Sequence, residues 1–351
     1  MRVYSASEAV WPALLRTYSY LFRPFQWEAF LKLATVATIS EGFVVSFRFS
    51  VPDTFPVDVN AAALKSYLLA PAFLSVTILG AMAIFLFAIY CFYLVVHLRF
   101  AFIHSLIHQT REIRTAAKLY SVEAEQFFSA SMLVWLAFLV AMALLSVLCI
   151  VAAYTVIASP TPEGKLDPGN FLILFFPCIG IAFVLILAAC AAQVVLNDFI
   201  LPHMAIEGAT FRKAWAEVRA RIAASKETFL SFFVLRLVMP LLAGIVLALA
   251  AWLVGLALFG ILGMSAAGFN AMLDGATGVR AYILTPINVL FVVLGLGAGL
   301  AMVVTFGGPL GIFMRCYALI YYGGHYKALG NLLEPSAPPE PVENEHRPEN
   351  P

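Results

Sequence analysis

The chain has 351 residues, 62% of them apolar and only 12% charged, with a net charge of +1 and a mean hydropathy of +0.93. A soluble domain is about half apolar and about a quarter charged, so these figures exclude an ordinary soluble fold. No basic excess points to nucleic acid.

Residues 1–26 carry Glu8, Arg16, Arg23, Pro12 and Pro24 and lack the apolar stretch of a secretory signal, so the spans themselves are expected to direct insertion. Ser5 and Glu8 have capping-box spacing, and Trp11, Leu14, Tyr18 and Leu21 recur along one side of a helix over 11–22 with Pro12 suited to a first turn. Six apolar segments follow, at about 27–47, 69–97, 128–157, 171–197, 229–263 and 283–306. The first holds Glu28, Lys32 and Glu41, and Pro240 is expected to kink the fifth. In the inner connection 211–224, Phe211, Trp215, Val218 and Ile222 fall at helical spacing behind Thr210 as N-cap, with Arg212, Lys213, Arg219 and Arg221 largely on other faces. This predicts a basic amphipathic helix in the headgroup layer, with those four cations as lipid contacts. Pro202 and the Gly307-Gly308-Pro309 run are expected to turn or end their helices. Tyr317, Tyr321, Tyr322 and Tyr326 then suit an interfacial segment. Residues 334–351, rich in Pro and Glu, predict a disordered cytoplasmic tail.

With the N-terminus inside, all but four of the 21 Lys and Arg fall on the inner side, the exceptions being Arg48, Lys65, Lys165 and Arg280. Short-loop basic bias sets orientation, so both termini are expected in the cytoplasm. Trp11, Ile113 and Trp215 are 102 residues apart, as are Phe25, Phe127 and Phe229. The spacing predicts three pseudo-repeats, about 1–102, 103–204 and 205–333, within one membrane domain over 1–333. The expected fold is an all-α polytopic membrane bundle of about six transmembrane helices in three hairpins, with amphipathic interfacial helices.

The stretches LFRPFQWEAFLKLATVATISEGF, RFAFIHSLIHQTREIR and NDFILPHMAIEGATFRKAW resemble a bacterial integral membrane family of unknown function, similar to the membrane region joined to some glycerophosphodiester phosphodiesterases. The resemblance covers roughly the first two thirds and implies a helical bundle in the inner membrane. It offers no catalytic residues, and outside the spans no region is large enough for a soluble phosphodiesterase domain.

His104, His108 and Glu112 recur every four residues, and His203 and Glu207 repeat that spacing. Two such segments meeting at the inner mouth would supply ligands for one or two metals. The plainer alternative is a wet interfacial layer in which Glu112 pairs with Arg111, Arg114 or Lys118. Glu41, some 14 residues into its span, is an intramembrane carboxylate; Arg236 counts as shallower and Arg48 as nearer in depth. Asp198 is placed to pair with Arg236 or to cap a helix. The five cysteines form no CxxC and serve packing. No Walker loop, GxSxG, HExxH or dinucleotide pattern is present, so no cofactor is expected. The function expected is non-enzymatic: organising lipid, a membrane-protein partner or a second copy at the cytoplasmic face. A transporter using Glu41 and a metal-dependent membrane hydrolase are the alternatives.

Overall fold

The computed structural model describes residues 3–41, 71–110, 113–158, 168–272 and 279–334, and among these every regular element is helical. In chain order they are α1 (Val10–Phe22), α2 (Trp27–Glu41), α3 (Pro71–His108), α4 (Ile113–Leu119), α5 (Ser121–Ala158) and α6 (Pro168–Val194). A π-turn (Val195–Ile200) leads into α7 (Leu201–Glu207), followed by α8 (Phe211–Ala224), α9 (Lys226–Met272), α10 (Val279–His325) and α11 (Lys327–Leu333). Among the described residues, five helices are long and apolar enough to cross a membrane: α3, α5, α6 with its continuation through α7, α9 and α10.

The molecule divides along the length of these helices. On α3 most of the large apolar side chains from Val76 to Leu94 are exposed, and from Val96 (0% exposed) through Ile107 the core-facing ones are buried. Residues 75–94, at 1.5 Å per residue, make about 30 Å, the thickness of a bilayer's hydrocarbon layer. On α10 the change falls between Leu300 (68% exposed) and Met302 (7%); on α9 it follows Phe232. A band of exposed Leu, Ile, Val and Phe thus continues into a packed head built from α1, α2, α4, α7, α8, α11 and the adjoining ends of the long helices. Exposed apolar surface on this scale fits hydrocarbon rather than water.

Several expectations change here. The described part of the first expected span is α2, only Trp27–Glu41, and Phe30, Leu33, Ala34 and Ala37 bury it in the head; residues 42–47 lie outside the described set, as do Glu112, Arg48 and all of the expected tail beyond Glu334. Tyr317, Tyr321, Tyr322 and Tyr326 are buried rather than interfacial, because Phe232 stacks on Tyr317 and Tyr321 at 5.3 and 4.3 Å while Phe199 and His203 close on Tyr322 and Tyr326. Neither Pro202 nor Gly307-Gly308-Pro309 ends a helix, since α10 runs unbroken to His325 and α7 continues α6 through the π-turn. At α10 the glycines let α2 approach closely: a Cβ on Gly308 would stand 2.8 Å from the Ala34 carbonyl oxygen, and one on Gly311 3.2 Å from that of Ala37. Small residues at such crossings are the usual device for close packing in membranes.

The head is fastened by polar caps. Ser5 and Glu8 close a reciprocal box, the Ser5 amide donating to Glu8 (3.1 Å) and the Glu8 amide to Ser5 Oγ (3.3 Å). Ala9, Ala13, Thr17, Tyr20 and Leu21 turn α1 inward, whereas Trp11, Leu14 and Tyr18 face out, so Leu21 does not share their side. Arg16 donates to the Leu106 and Ile107 carbonyls at the end of α3 and to the Leu333 carbonyl at the end of α11 (3.0, 3.2 and 3.2 Å). One guanidinium therefore satisfies the terminal carbonyls of two helices and meets the negative ends of their dipoles. It also ties the first helix to the last.

Candidate functional site

Where the head meets the apolar band lies a buried ionic network. Arg315 (1% exposed) donates from Nε to Glu41 Oε1 at 2.7 Å and from Nη1 to Asp198 Oδ1 at 3.2 Å, and its Nη2 also pairs with Glu41. Arg236 donates from Nε to Asp198 Oδ2 at 2.8 Å and from Nη2 to Glu41 Oε2 at 3.3 Å. Arg99 reaches neutral acceptors, the Ser40 carbonyl (2.8 Å) and Asn197 Oδ1 (2.9 Å). Charges this deep persist only when paired and hydrogen-bonded, and both carboxylates here are. Glu41 thus pairs with Arg236, which depth counting had placed too shallow, and with Arg315, which charge counting had assigned only to the inner face.

The π-turn explains how Arg315 is held. The Leu201 amide donates to the Leu196 carbonyl, one residue further back than in an α-helix. The Asn197 carbonyl thereby loses its α-helical donor. Its π-helical donor would be the amide of residue 202, and Pro202 has none. Arg315 Nη1 fills the vacancy at 2.8 Å. Pro202, expected to break the helix, instead frees the acceptor that fixes the network's central cation.

A second cluster forms one turn further on. Gly208 takes φ +58°, the left-handed conformation that a side chain resists, and turns α7 into α8. The turn brings Glu217 and Arg221 over His203. Arg221 Nη1 contacts His203 Nε2, its Nη2 donates to Glu217 (3.3 Å), and its guanidinium lies 4.9 Å over the Tyr326 ring. Tyr322 Oη is 2.7 Å from the same Nε2, and Tyr326 Oη donates to Glu207 at 2.5 Å. Burial first, and that hydrogen bond second, raise the Tyr326 phenol above its ordinary pKa, so it keeps its proton and remains a donor. His203 Nδ1 is buried without a hydrogen-bond partner, 3.9 Å from both Glu207 Oε1 and Glu217 Oε2.

Among the described residues the ligand group that gathers is His203, Glu207 and Glu217, with ligand atoms within 4.8 Å of one another. It shares His203 and Glu207 with the expected set and adds Glu217. His104 and His108 are not in it: their rings lie 4.4 Å apart, and His104 Nδ1 meets Tyr120 Oη at 2.8 Å. Of the four expected lipid contacts, Arg212, Lys213 and Arg219 are exposed, whereas Arg221 is turned inward. Trp215 is 45% exposed and sits with Arg212 and Arg219, because Ala214 and Val218, not Trp215, make the buried side of α8. Thr210 occupies the N-cap position without a side-chain cap bond.

The model of a family of unknown function (DUF7544) matches residues 4–332. The chain belongs to DUF7544. No curated protein and no solved structure matches it. Nothing in these comparisons links this DUF7544 chain to the glycerophosphodiester phosphodiesterases, and no activity comes with the family. Sequence reasoning had named Glu41, Asp198, Arg236, His203 and Glu207. It passed over Arg99, Arg315, Glu217 and the two tyrosines as partners, although a lone Arg inside an apolar run, as in GIFMRCYALIYY, is itself the signal of a buried counter-charge.

Proposed function

We propose that this DUF7544 protein is a non-enzymatic component of a bacterial inner (cytoplasmic) membrane that holds anionic lipid against its cytoplasmic face. The observation that carries the reading is the outward side of α8, where exposed Arg212 and Arg219 flank an exposed Trp215 and Lys213 is exposed at the other edge, on a helix anchored by Ala214 and Val218. Indole rings settle at the headgroup level, and each cation near an anionic surface contributes about 1 kcal/mol. The full pairing of Glu41 and Asp198 favours a structural network over a transport pathway. In this reading the chain crosses six times in three hairpins, five of the crossings being the long helices and buried α2 being the inward end of the first. Packing of α2 on α3, α5 on α6 and α9 on α10 supports the hairpins, and a short helix preceding long ones in each third of the chain supports the repeat. Contact between α1 and α11 supports termini on one side, which the basic bias assigns to the cytoplasm.

The test is lipid recovery from full-length protein in nanodiscs of phosphatidylcholine and phosphatidylglycerol. Phosphatidylglycerol is expected to be enriched in the tightly retained fraction, and the Arg212→Gln/Lys213→Gln/Arg219→Gln variant is expected to lose that enrichment. Equal lipid ratios in wild type and variant would overturn the reading.

A further inference from the structure

We propose that His203, Glu207 and Glu217 form a binding site for a divalent transition-metal ion, and that Arg221 is the resident cation that withdraws when the metal binds. His203 is fully buried, yet its Nδ1 lacks a hydrogen-bond partner and lies equidistant, at 3.9 Å, from two carboxylate oxygens on different helices. Metal–ligand bonds of about 2.0–2.1 Å place tetrahedral ligand atoms ~3.3 Å apart, so each carboxylate has about half an ångström to close on Nδ1, and the three ligand atoms, already within 4.8 Å of one another, draw together around the ion. Imidazole with carboxylates suits zinc, iron(II) or manganese(II).

The charge around the pocket favours a cation. Two carboxylates face the Arg221 guanidinium, so a divalent ion that replaces it offsets both, with the exposed Lys213 a further cation at the solvent side, where water and salt screen it. The outer partners are in place: Tyr322 Oη stands 2.7 Å from Nε2, and Tyr326 Oη holds Glu207. Ligating imidazoles and carboxylates are ordinarily oriented in this way. Glu207 and Glu217 are 30% and 35% exposed, which gives an ion a path from solvent.

Arg221 makes the two states exclusive. A guanidinium only donates, so its contact with Nε2 makes that nitrogen the acceptor and leaves the ring proton on Nδ1. A metal needs the Nδ1 lone pair. The proton therefore moves to Nε2, where Tyr322 Oη accepts it, and Arg221 loses its seat. Ion and guanidinium compete for one imidazole and for Glu217.

The experiment uses full-length protein in detergent, stripped with chelator, equilibrated with zinc sulfate, desalted and measured for zinc by mass spectrometry. Wild type is expected to retain one zinc per chain. His203→Gln and Glu217→Gln lose it, His104→Gln/His108→Gln keeps it, and Arg221→Gln binds at least tenfold tighter in chelator competition. Glu217 and Arg221 are partly exposed, so their variants report even where His203→Gln fails to fold. No zinc in wild type or Arg221→Gln, zinc unaffected by Glu217→Gln, or zinc lost from the His104/His108 variant overturns the site. An unchanged affinity in Arg221→Gln overturns the competition.

Discussion

Glu41→Gln tests whether the ionic network holds the head together. Glu41 Oε1 accepts from Arg315 and Oε2 from Arg236, so an isosteric carboxamide keeps one acceptor and turns a donor toward the other guanidinium. At charge separations of about 4 Å and an effective dielectric near 20, each ion pair is worth roughly 4 kcal/mol before desolvation. Removing one partner from a buried set costs about 3–5 kcal/mol, because the remaining charge stays buried. Unfolding free energy should therefore fall by about 3 kcal/mol in denaturant titrations of the solubilised protein. A double-mutant cycle with Arg315→Met sharpens the test, since Arg315 keeps only Asp198 and the Asn197 carbonyl once Glu41 is gone. The two losses should sum to more than the double variant shows, by about 1–3 kcal/mol. Glu41→Gln within about 0.5 kcal/mol of wild type, the range of an ordinary surface change, would refute the reasoning.

Gly308→Ala should destabilise by about 1–3 kcal/mol through overpacking, because its methyl would meet the Ala34 backbone, whereas Gly80→Ala, with open space around it, should be neutral; thermal unfolding of both reads the contrast. Arg16→Met should leave the carbonyls closing α3 and α11 without their shared donor, costing about 1–3 kcal/mol and opening α11 to faster proteolysis. Pro202→Ala should restore an amide that competes with Arg315 for the Asn197 carbonyl, so Arg315→Met should cost measurably less in that background than in wild type.

Much of this architecture was legible in the residues. Apolar runs fixed the membrane class, Ser5 and Glu8 form the box that their spacing predicts, and Asp198 meets Arg236 as its charge suggests. The division between band and head was not legible, because Leu94 and Val96 are equally apolar and only tertiary packing separates them. The same applies to Trp215: helical spacing placed it with Val218, but a bulky indole lost the buried side of α8 to Ala214, which lets the helix lie closer. The pairing of Glu41 with Arg315 crosses 274 residues, beyond any local pattern.

The network and the glycine crossing depend on each other. Gly308 and Gly311 bring α10 against Ala34 and Ala37, and Glu41 follows on α2 one turn beyond Ala37, so the close approach delivers the carboxylate to Arg315. Without the carboxylate, the same approach would leave the Arg315 guanidinium with Asp198 and the Asn197 carbonyl on Nη1 and no acceptor for its Nε. Without the approach, Glu41 would lose Arg315 and keep Arg236 alone, beside an apolar band where insertion measurements put an unpaired acidic side chain at a cost of about 2.5–3.5 kcal/mol at the bilayer centre. Each half of the arrangement removes the penalty of the other. The polar residues in α2 therefore belong to one packing unit with the glycines of α10, and their exchange for apolar residues would have to be made on both helices together to preserve the head.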